Sequence, residues 1–243
     1  TSMGGELRNC LAKINNLTGE ADLTWNPNPA LSLSNPSVWS IAISGSDIYV
    51  GGQFTTMNGQ SRNRIAKLNN TDGAVDLAWN PNANSQVDCI TINSNDIYVG
   101  GSFTTIGGQS RNRIAKLNNT DGAADLTWNP SAGNDVRCIV ASGSDIYVGG
   151  KFTTIGGQSR NRIARLNNTD GAADLIWNPN ATINGISFVN NIAINGSDIY
   201  VVGFFTTIGG QPRNYIAKLN NIDGAADLTW NPNAGSMINC ITI

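Results

Sequence analysis

Five tandem copies of one segment constrain this chain more than any other feature of its sequence. The copy at 96–130 reads DIYVGGSFTTIGGQSRNRIAKLNNTDGAADLTWNP. The tryptophan of its WNP motif recurs about every fifty residues. The five occurrences are Trp25, Trp79, Trp128, Trp177 and Trp230. A period of this length, built from short apolar segments without helical i, i+3, i+4, i+7 spacing, is typical of the four-stranded blades of a β-propeller.

Each copy contains four strand candidates that are rich in Ile, Val, Tyr or Trp and bounded by Gly, Asn, Ser and Pro. In the second copy they are Val87–Ile92, Asp96–Phe103, Arg113–Leu117 and Asp125–Trp128. We therefore predict an all-β fold, namely one five-bladed β-propeller of four-stranded blades over residues 1–243. The WNP motifs place blade 1 at 28–81, blade 2 at 82–130, blade 3 at 131–179 and blade 4 at 180–232, while blade 5 combines 1–27 with 233–243.

The NNTDG turn predicts a hairpin between the third and fourth strands of each blade. Asn and Asp bond their own backbone in turns, and Gly accepts a positive φ. A four-residue loop at 119–122 places Lys116 opposite Asp125, an opposite-charge cross-strand pair. The same offset gives the pairs Lys13–Asp22, Lys67–Asp76, Arg165–Asp174 and Lys218–Asp227.

The closing blade lacks one strand in the sequence. The DIYVGG-like second strand occurs four times, beginning at Asp47, Asp96, Asp145 and Asp198, whereas the other three strands occur five times. We expect the C-terminal segment to supply the inner strand of this blade and the N-terminal segment its two outer strands. The favoured explanation is that the sequence is a fragment. Donation of a strand by another chain stays open, as does direct pairing of strands one and three, which alone would bring Cys10 near Cys240.

Composition excludes several function classes. The chain has 15 basic and 17 acidic residues and no histidine. The sequence has no basic patch of the kind that binds nucleic acid, so we predict no nucleic-acid partner. It has no apolar run long enough to predict membrane insertion. Without histidine, Ser-His-Asp catalysis and His-ligated metals are unavailable. We therefore predict that the protein is not an enzyme.

Calcium is the one cofactor that the turns bring into question. Calcium loops of the type D-x-D-x-D-G-x-x-D supply carboxylate and carbonyl oxygens in a tight turn. The matching positions here are Leu117, Asn119, Asp121, Gly122 and Asp125, so the first ligand is missing. We predict no cofactor, and a calcium site at the NNTDG turns is disfavoured against a plain Asx-type turn.

An arginine and a tryptophan recur once in every copy. The arginines are Arg8, Arg62, Arg111, Arg160 and Arg213. Aromatic faces stack on sugars and guanidinium groups bond hydroxyls, so these residues could form a ring of glycan sites. The favoured interpretation is structural: the arginine bridges blades through backbone carbonyls or a carboxylate, and the tryptophan fills the core between blades.

Positions that differ between copies are the better candidates for ligand binding. Just before the Cys position of strand one, the copies read Trp39, Asp88, Arg137, Asn190 and Asn239. Such variation is expected at a channel mouth, and equally at an unconstrained position. Two loops, 28–38 and 180–189, are longer than their counterparts and are predicted to project from one face. They carry the apolar residues Leu31, Leu33, Ile183, Ile186 and Phe188, which suggest contact with a partner.

The motifs IYVGGxFTTIGG, RNRIAKLN and ADLTWNP resemble the bacterial delta-sixty type propeller repeats, and more distantly repeats in a fungal cortical polarity marker. This resemblance covers essentially the whole chain. It implies a propeller and an extracellular or cell-surface setting in bacteria, and it supplies no catalytic residues. The chain departs from the repeat at Val202, Tyr215 and Cys10.

Together these observations favour a non-enzymatic binding or structural module of a larger secreted or surface protein, with a protein or glycan partner. The first alternative is a glycan-binding lectin with repeated sites on the blades. The second is an enzyme that uses the channel mouth, which is less favoured because only Asp88 and Arg137 offer catalytic groups there.

Overall fold

The computed structural model describes residues 2–32 and 35–243, and the regular secondary structure in these ranges consists of strands. In chain order the strands are β1 (Ser2–Met3), β2 (Glu6–Leu7), β3 (Ser37–Ser44), β4 (Asp47–Gln53), β5 (Thr56–Met57), β6 (Gln60–Ser61), β7 (Ile65–Asn69), β8 (Val87–Asn93), β9 (Asp96–Gly101), β10 (Thr105–Ile106), β11 (Gln109–Ser110), β12 (Ile114–Asn118), β13 (Val136–Ser142), β14 (Asp145–Gly150), β15 (Thr154–Ile155), β16 (Gln158–Ser159), β17 (Ile163–Asn167), β18 (Phe188–Asn195), β19 (Asp198–Phe204), β20 (Thr207–Ile208), β21 (Gln211–Pro212) and β22 (Ile216–Asn220). Within these ranges there is no helix that could cross a membrane.

Four antiparallel sheets of three strands form the repeating unit. Their orders are β3-β4-β7, β8-β9-β12, β13-β14-β17 and β18-β19-β22, which are the first three predicted strands of blades 1 to 4. The first strands of successive blades lie side by side: the Ile90 N–H donates to Ser40 Oγ (2.9 Å), and Thr91 Oγ1 donates to the Ile139 carbonyl (2.5 Å). The prediction of an all-β propeller is confirmed.

The fourth predicted strand of each blade is not formed as a strand. The prediction of four-stranded blades was wrong in this respect, because each repeated sheet has three strands. In blade 2 the segment after the NNTDG turn joins the sheet at one bridge, Leu117↔Ala124, and then bends away. The Asp125 carboxylate causes the bend, because its Oδ1 accepts the N–H groups of Thr127 (2.9 Å) and Trp128 (3.2 Å). Side-chain bonding of this kind competes with a strand ladder.

The predicted register of the NNTDG hairpin is confirmed. Lys116 Nζ lies 2.8 Å from Asp125 Oδ2, and the Asp125 N–H donates to the Lys116 carbonyl. The other four pairs are present at 2.5–3.5 Å: Lys13–Asp22, Lys67–Asp76, Arg165–Asp174 and Lys218–Asp227. Because the pairing depends only on a local turn, the sequence was sufficient to predict it.

A short hairpin that the sequence analysis missed follows strand two of each blade. In blade 2 it pairs β10 with β11 through Gly107 and Gly108, whose φ angles are 60° and 75°. Two consecutive positive φ values are typical of a type I′ turn, which glycine favours. The Gly-Gly pair between TTI and QS could therefore have predicted this hairpin from the sequence.

The core lies between blades, where the repeated tryptophan is buried. Trp128 packs edge-on against Tyr98 with ring centroids 5.1 Å apart, and its Nε1 donates to the Asn167 carbonyl of the next blade (2.9 Å). The repeated arginine is also buried, and in blade 2 its hydrogen bonds lie within the blade, whereas a bridge between blades was predicted. Arg111 donates to the carbonyls of Ser110 and Asp125 in its own blade, both at 2.7 Å.

The two segments assigned to blade 5, 1–27 and 233–243, lack the inner strand and the two outer strands that were predicted for this blade. Segment 238–243 lies beside blade 4, where Asn190 Nδ2 donates to the Ile238 carbonyl (3.2 Å), yet it forms no strand. Segment 11–15 joins only the bridge Ile14↔Ala21. In blades 1 to 4 the equivalent segments pair with a second strand, and the absence of its fifth copy explains the difference. Cys10 and Cys240 are exposed thiols, whereas Cys89 and Cys138 are buried.

Candidate ligand-binding site at the channel mouth

Each inner strand of blades 1 to 4 contains one β-bulge, at the position where the copies differ. The register shifts between Val38 and Ser40 in β3, and the other three inner strands shift at the equivalent place. The extra residues are Trp39, Asp88, Arg137 and Asn190. A bulge turns a side chain out of the regular alternation, and bulges are common beside functional sites.

A glycine in strand two permits each bulge. A Cβ on Gly101 would lie 2.2 Å from the Gln86 carbonyl oxygen, just before the bulge of β8. Gly52, Gly150 and Gly203 have the same contact with their own inner strands, at 2.1–2.3 Å. Only glycine allows the two strands to approach this closely, so the VGG motif and the bulge belong together.

The bulge residues meet around one cavity of about 510 Å³. Its lining residues are Trp39, Gln86, Asp88, Asp135, Arg137, Lys151, Asn190 and Asn239. All five positions singled out before the Cys of strand one are present, including Asn239 from the C-terminal segment. Sequence reasoning missed Gln86, Asp135 and Lys151, although these positions also differ between copies and the same comparison could have found them.

Hydrogen bonds order one side of the cavity. Arg137 donates to Asn190 Oδ1 (2.5 Å), and Asn190 Nδ2 donates to Asn239 Oδ1 (3.3 Å). Lys151 is 3.1 Å from Asp135 Oδ2 and Ser102 Oγ is 2.9 Å from Asp135 Oδ1, so that carboxylate is held by the protein itself.

Asp88 differs from Asp135 because, among the described residues, its carboxylate accepts one hydrogen bond, from Gln86 Nε2 at 3.2 Å. Burial, reinforced by the negative charge of Asp135, raises the pKa of Asp88 to about 6. Arg137 and Lys151 oppose this shift. The mouth therefore holds a carboxylate with spare acceptor capacity beside a guanidinium and an ammonium group.

Replacing Asp88 with asparagine is expected to raise Tm at pH 7.5. The pKa of Asp88 is raised from 3.8 to about 6, so its ionisation costs the folded state free energy above pH 6, and this cost is absent below the unfolded pKa. The gain in Tm should therefore be largest above pH 7 and disappear as the pH falls from about 6 to 4. Asp135, Arg137 and Lys151 face the group and remain unchanged in the variant.

The matched variant Asp227→Asn should behave in the opposite way. A hydrogen bond from Lys218 holds the pKa of Asp227 below its usual range, so ionised Asp227 stabilises the fold. Its loss should lower Tm at pH 7.5. Thermal unfolding followed by circular dichroism across this pH range measures both variants, and a pH-independent effect of Asp88→Asn would contradict the assignment.

An aromatic stack supports the basic side of the cavity. The Arg137 guanidinium lies 4.0 Å from the centroid of Phe188, a cation–π contact. Phe188 stacks on Phe204 (5.6 Å), and Phe204 stacks on Tyr215 (5.8 Å). The equivalent positions in blades 1 to 3 are Ser37, Gln53 and Arg64, then Gln86, Ser102 and Arg113, then Asp135, Lys151 and Arg162. Tyr215, which departs from the repeat, is thus one of three aromatic residues in blade 4 that stand where blades 1 to 3 have polar residues.

The two long loops contribute less than predicted. Phe188 is half-buried under Arg137, whereas Leu31 and Ile186 do not line the cavity. Leu31 and Ile183 are half-buried, and Ile186 is exposed. Leu33 lies outside the described residues. We expected these apolar loop residues to be exposed. Among the four that the structure describes, Ile186 is exposed and the other three are half-buried.

The NNTDG turn has the geometry of an Asx-type turn. Asn118 Oδ1 accepts the N–H groups of Thr120 (2.8 Å) and Asp121 (3.1 Å), and Asp121 Oδ1 accepts that of Ala123 (2.9 Å). Asp125 is engaged by Lys116. In the described part of the chain, no three carboxylate or thiol side chains come together as metal ligands.

Comparison with solved structures shows the fold. The chain is similar to the computationally designed Ika8 protein, with a TM-score of 0.50 and 11% identity over 81% of this chain and 50% of Ika8. BamB from Moraxella catarrhalis has a TM-score of 0.47 and 16% identity over 88% of this chain and 52% of BamB. The computationally designed Ika4 protein has a TM-score of 0.48 and 11% identity over 79% of this chain and 95% of Ika4. The chain spans about half the length of Ika8 and BamB. No curated protein matches it.

A family described as "domain of unknown function (DUF5122) beta-propeller" matches four segments: 47–78, 94–127, 145–175 and 198–229. Together they make up more than half of the chain. Each contains a second strand, the short hairpin, a third strand and the NNTDG-type turn, whereas the bulged inner strands and the N-terminal copy lie outside the matched segments. The chain belongs to this DUF5122 β-propeller family.

Proposed function

We propose that this protein is a non-enzymatic binding module whose ligand site is the channel mouth. One observation carries the proposal: the four bulge residues and their counterpart Asn239 differ from copy to copy, and all of them line one cavity. Other grooves, such as the one lined by Pro130, Thr154 and Gln158, consist largely of residues repeated in every blade. Repeated residues serve the fold, whereas the mouth is different in each blade.

A sugar is the ligand that the lining fits best. Trp39 is 45% exposed and offers an aromatic face, while the other side chains offer planar hydrogen-bonding groups. The Asp88 carboxylate can accept hydrogen bonds from sugar hydroxyl groups, and Arg137, Asn190 and Asn239 carry N–H donors. The repeated tryptophans and arginines cannot serve as sugar sites on each blade, because they are buried or, at Trp230, half-buried. We therefore place the lectin alternative at one central site.

The binding test uses a glycan array followed by titration of the best ligand. Trp39→Ala and Asp88→Asn should each weaken binding at least about tenfold, as expected for a central aromatic anchor or a charge-assisted hydrogen bond. Gln158→Ala, in a groove of repeated residues, is the matched control and should leave the dissociation constant unchanged.

Trp39 also reports binding directly. It is exposed, whereas Trp25, Trp79, Trp128 and Trp177 are at most 2% exposed, so ligand contact should change the Trp39 contribution to intrinsic fluorescence. A ligand whose affinity is insensitive to both mouth variants would overturn the site. A peptide array run in parallel decides whether a polar protein segment binds instead of a sugar.

One observation favours hydrolysis as a second candidate. Asp88 and Asp135 face the same cavity, and the raised pKa of Asp88, about 6, is what a carboxyl acid catalyst requires. Asp135 is held by Lys151 and Ser102, which favours binding over catalysis. Release of free sugar from an aryl glycoside that Asp88→Asn abolishes would establish the enzymatic alternative.

The proposal includes a secreted or cell-surface setting in bacteria, which the resemblance to the delta-sixty type repeats implies. It also includes five copies of the repeat, since the N-terminal copy retains the Lys13–Asp22 pair and the buried Trp25. Protein or glycan partners fit a channel mouth that carries two carboxylates, Asp88 and Asp135, beside the basic groups of Arg137 and Lys151. Nucleic acid does not, because acidic residues outnumber basic ones.

A further inference from the structure

We propose that the ligand of the channel mouth is zwitterionic: it carries an ammonium group that faces Asp88 and a carboxylate that faces Arg137. This inference rests on the binding function proposed above and names the chemical class of the ligand. The groups that carry it belong to the inner strands of blades 2 to 4 and to Lys151, which follows strand two of blade 3.

The charged side chains of the mouth consist of one neutral pair and two separate charges. Lys151 Nζ lies 3.1 Å from Asp135 Oδ2, so these two charges neutralise each other. Among the described residues, neither Asp88 nor Arg137 makes an ion pair. Burial raises the pKa of Asp88 to about 6, and the charge of Arg137 opposes this shift. Asp88 and Arg137 therefore interact across the cavity without being in contact.

Contacts with blade 4 hold Arg137 on the side away from Asp88. The Arg137 guanidinium lies 4.0 Å from the centroid of Phe188 and donates to Asn190 Oδ1 at 2.5 Å. Phe188 and Asn190 belong to β18 of blade 4, whereas Asp88 belongs to β8 of blade 2, on the other side of Arg137. A guanidinium held over an aromatic face loses the freedom to turn toward a carboxylate. The two opposite charges are thus kept apart by the protein.

Both charges have hydrogen-bonding capacity that the protein leaves unused. The Asp88 carboxylate accepts one hydrogen bond from Gln86 among the described residues, and a carboxylate can accept several. Arg137 has N–H donors beyond the one that Asn190 accepts, and in the described part of the chain none of its nitrogens is buried without a partner. These donors therefore reach the open cavity, where they can bind a carboxylate in the bidentate manner typical of arginine.

A neutral ligand would cover both half-buried charges without pairing either of them, which costs free energy. A ligand with a single charge would pair one of them and leave the other. A zwitterion pairs both, because an ammonium group donates to the carboxylate while a carboxylate accepts from the guanidinium. A sugar that carries an amine and a carboxylate has this chemistry, and so does a free amino acid.

The test titrates the protein at about pH 7 with three related sugars. Muramic acid carries both charged groups, N-acetylmuramic acid has its amine blocked, and glucosamine lacks the carboxylate. Muramic acid should bind at least about tenfold more tightly than either of the others. Tighter binding of L-phenylalanine, with the same loss on blocking its amine or its carboxylate, would support the inference and assign the zwitterion to an amino acid.

Variants of the two charged residues test which group each one binds. Asp88→Asn should abolish the preference for muramic acid over N-acetylmuramic acid and keep its preference over glucosamine, and Arg137→Gln should do the reverse. Gln158→Ala, in the groove of repeated residues, should keep both preferences. An amine preference that persists in Asp88→Asn would overturn the assignment.

Phe188→Ser tests whether the aromatic stack separates the charges. Serine is the residue at this place in blade 1, Ser37. Without the ring Arg137 can approach Asp88, so both preferences should decrease together and the pKa of Asp88, followed by NMR titration, should fall below about 6. Asp135 and Lys151, the other charged groups that face Asp88, are unchanged. An unaltered pKa would show that Phe188 does not keep the charges apart, contrary to the proposal.

The failure of this inference differs from the failure of the proposed function. A neutral sugar whose binding is weakened by Trp39→Ala, combined with equal affinities for the three charged probes, would overturn the zwitterionic ligand and leave the mouth as the binding site. If no ligand responds to Trp39→Ala or Asp88→Asn, both the site and the inference are overturned.

Discussion

Replacing Trp128 with alanine is expected to lower the free energy of unfolding by about 3–5 kcal/mol. Trp128 is fully buried, packs edge-on against Tyr98 and donates to the Asn167 carbonyl of the next blade. Alanine leaves a large cavity between two blades, which neither rigid sheet can close. Urea unfolding followed by circular dichroism measures the loss.

Trp230→Ala is the matched variant and should cost only about 1–2 kcal/mol. Trp230 has the same place in blade 4 and the same edge-on tyrosine, Tyr200, at 5.4 Å. It is only half-buried, because segment 238–243, which follows it, forms no strand. Similar losses for both variants would mean that the tryptophan stabilises its own blade rather than the contact between blades.

Replacing Gly101 with alanine is expected to destabilise the protein by about 3 kcal/mol and to abolish ligand binding at the mouth. The new methyl group would lie 2.2 Å from the Gln86 carbonyl oxygen, so β8 and β9 must separate. Separation removes the bulge that directs Asp88 into the cavity. Stability by urea unfolding and affinity by titration should therefore fall together.

The control variant Gly143→Ala separates this steric effect from the conformational cost of placing alanine at a positive φ. Gly143 lies in the turn between β13 and β14 with φ 62°, and a Cβ there would meet no atom within 4 Å. Alanine should cost about 1 kcal/mol through its conformation alone, with unchanged ligand affinity. Equal losses for Gly101→Ala and Gly143→Ala would show that close strand approach is not what requires glycine in the VGG motif.

Local features of this fold could be read from the residues. The Lys116–Asp125 pair was predictable because its register depends on one turn whose Asn, Asp and Gly select their own conformation. The same chemistry also explains a failure: the Asp125 side chain bonds two following N–H groups and ends the predicted fourth strand after one bridge. Propensity favoured a strand in DLTW, but a side-chain hydrogen bond prevailed.

Val202 shows why comparison of copies has a limit. Its counterparts Gly100 and Gly149 have no room for a side chain, since a Cβ would lie 2.5 Å from Val136 or Val189 of the next blade. In blade 4 the following segment, 238–243, forms no strand, and valine is accommodated. The sequence marked the departure, but its cause is the neighbour in space.

The sequence by itself determined the repeat, the first three strands of each blade, the charge-paired turns and the five variable positions, because all of these follow from local chemistry and periodicity. Only the tertiary structure decided that Trp39, Asp88, Arg137 and Asn190 are bulge residues that face one cavity with Asn239. It also decided that LAKIN at 11–15 is not a strand. A bulge and a strand both require a neighbouring strand at hydrogen-bonding distance, and which strand lies there is decided by the tertiary structure.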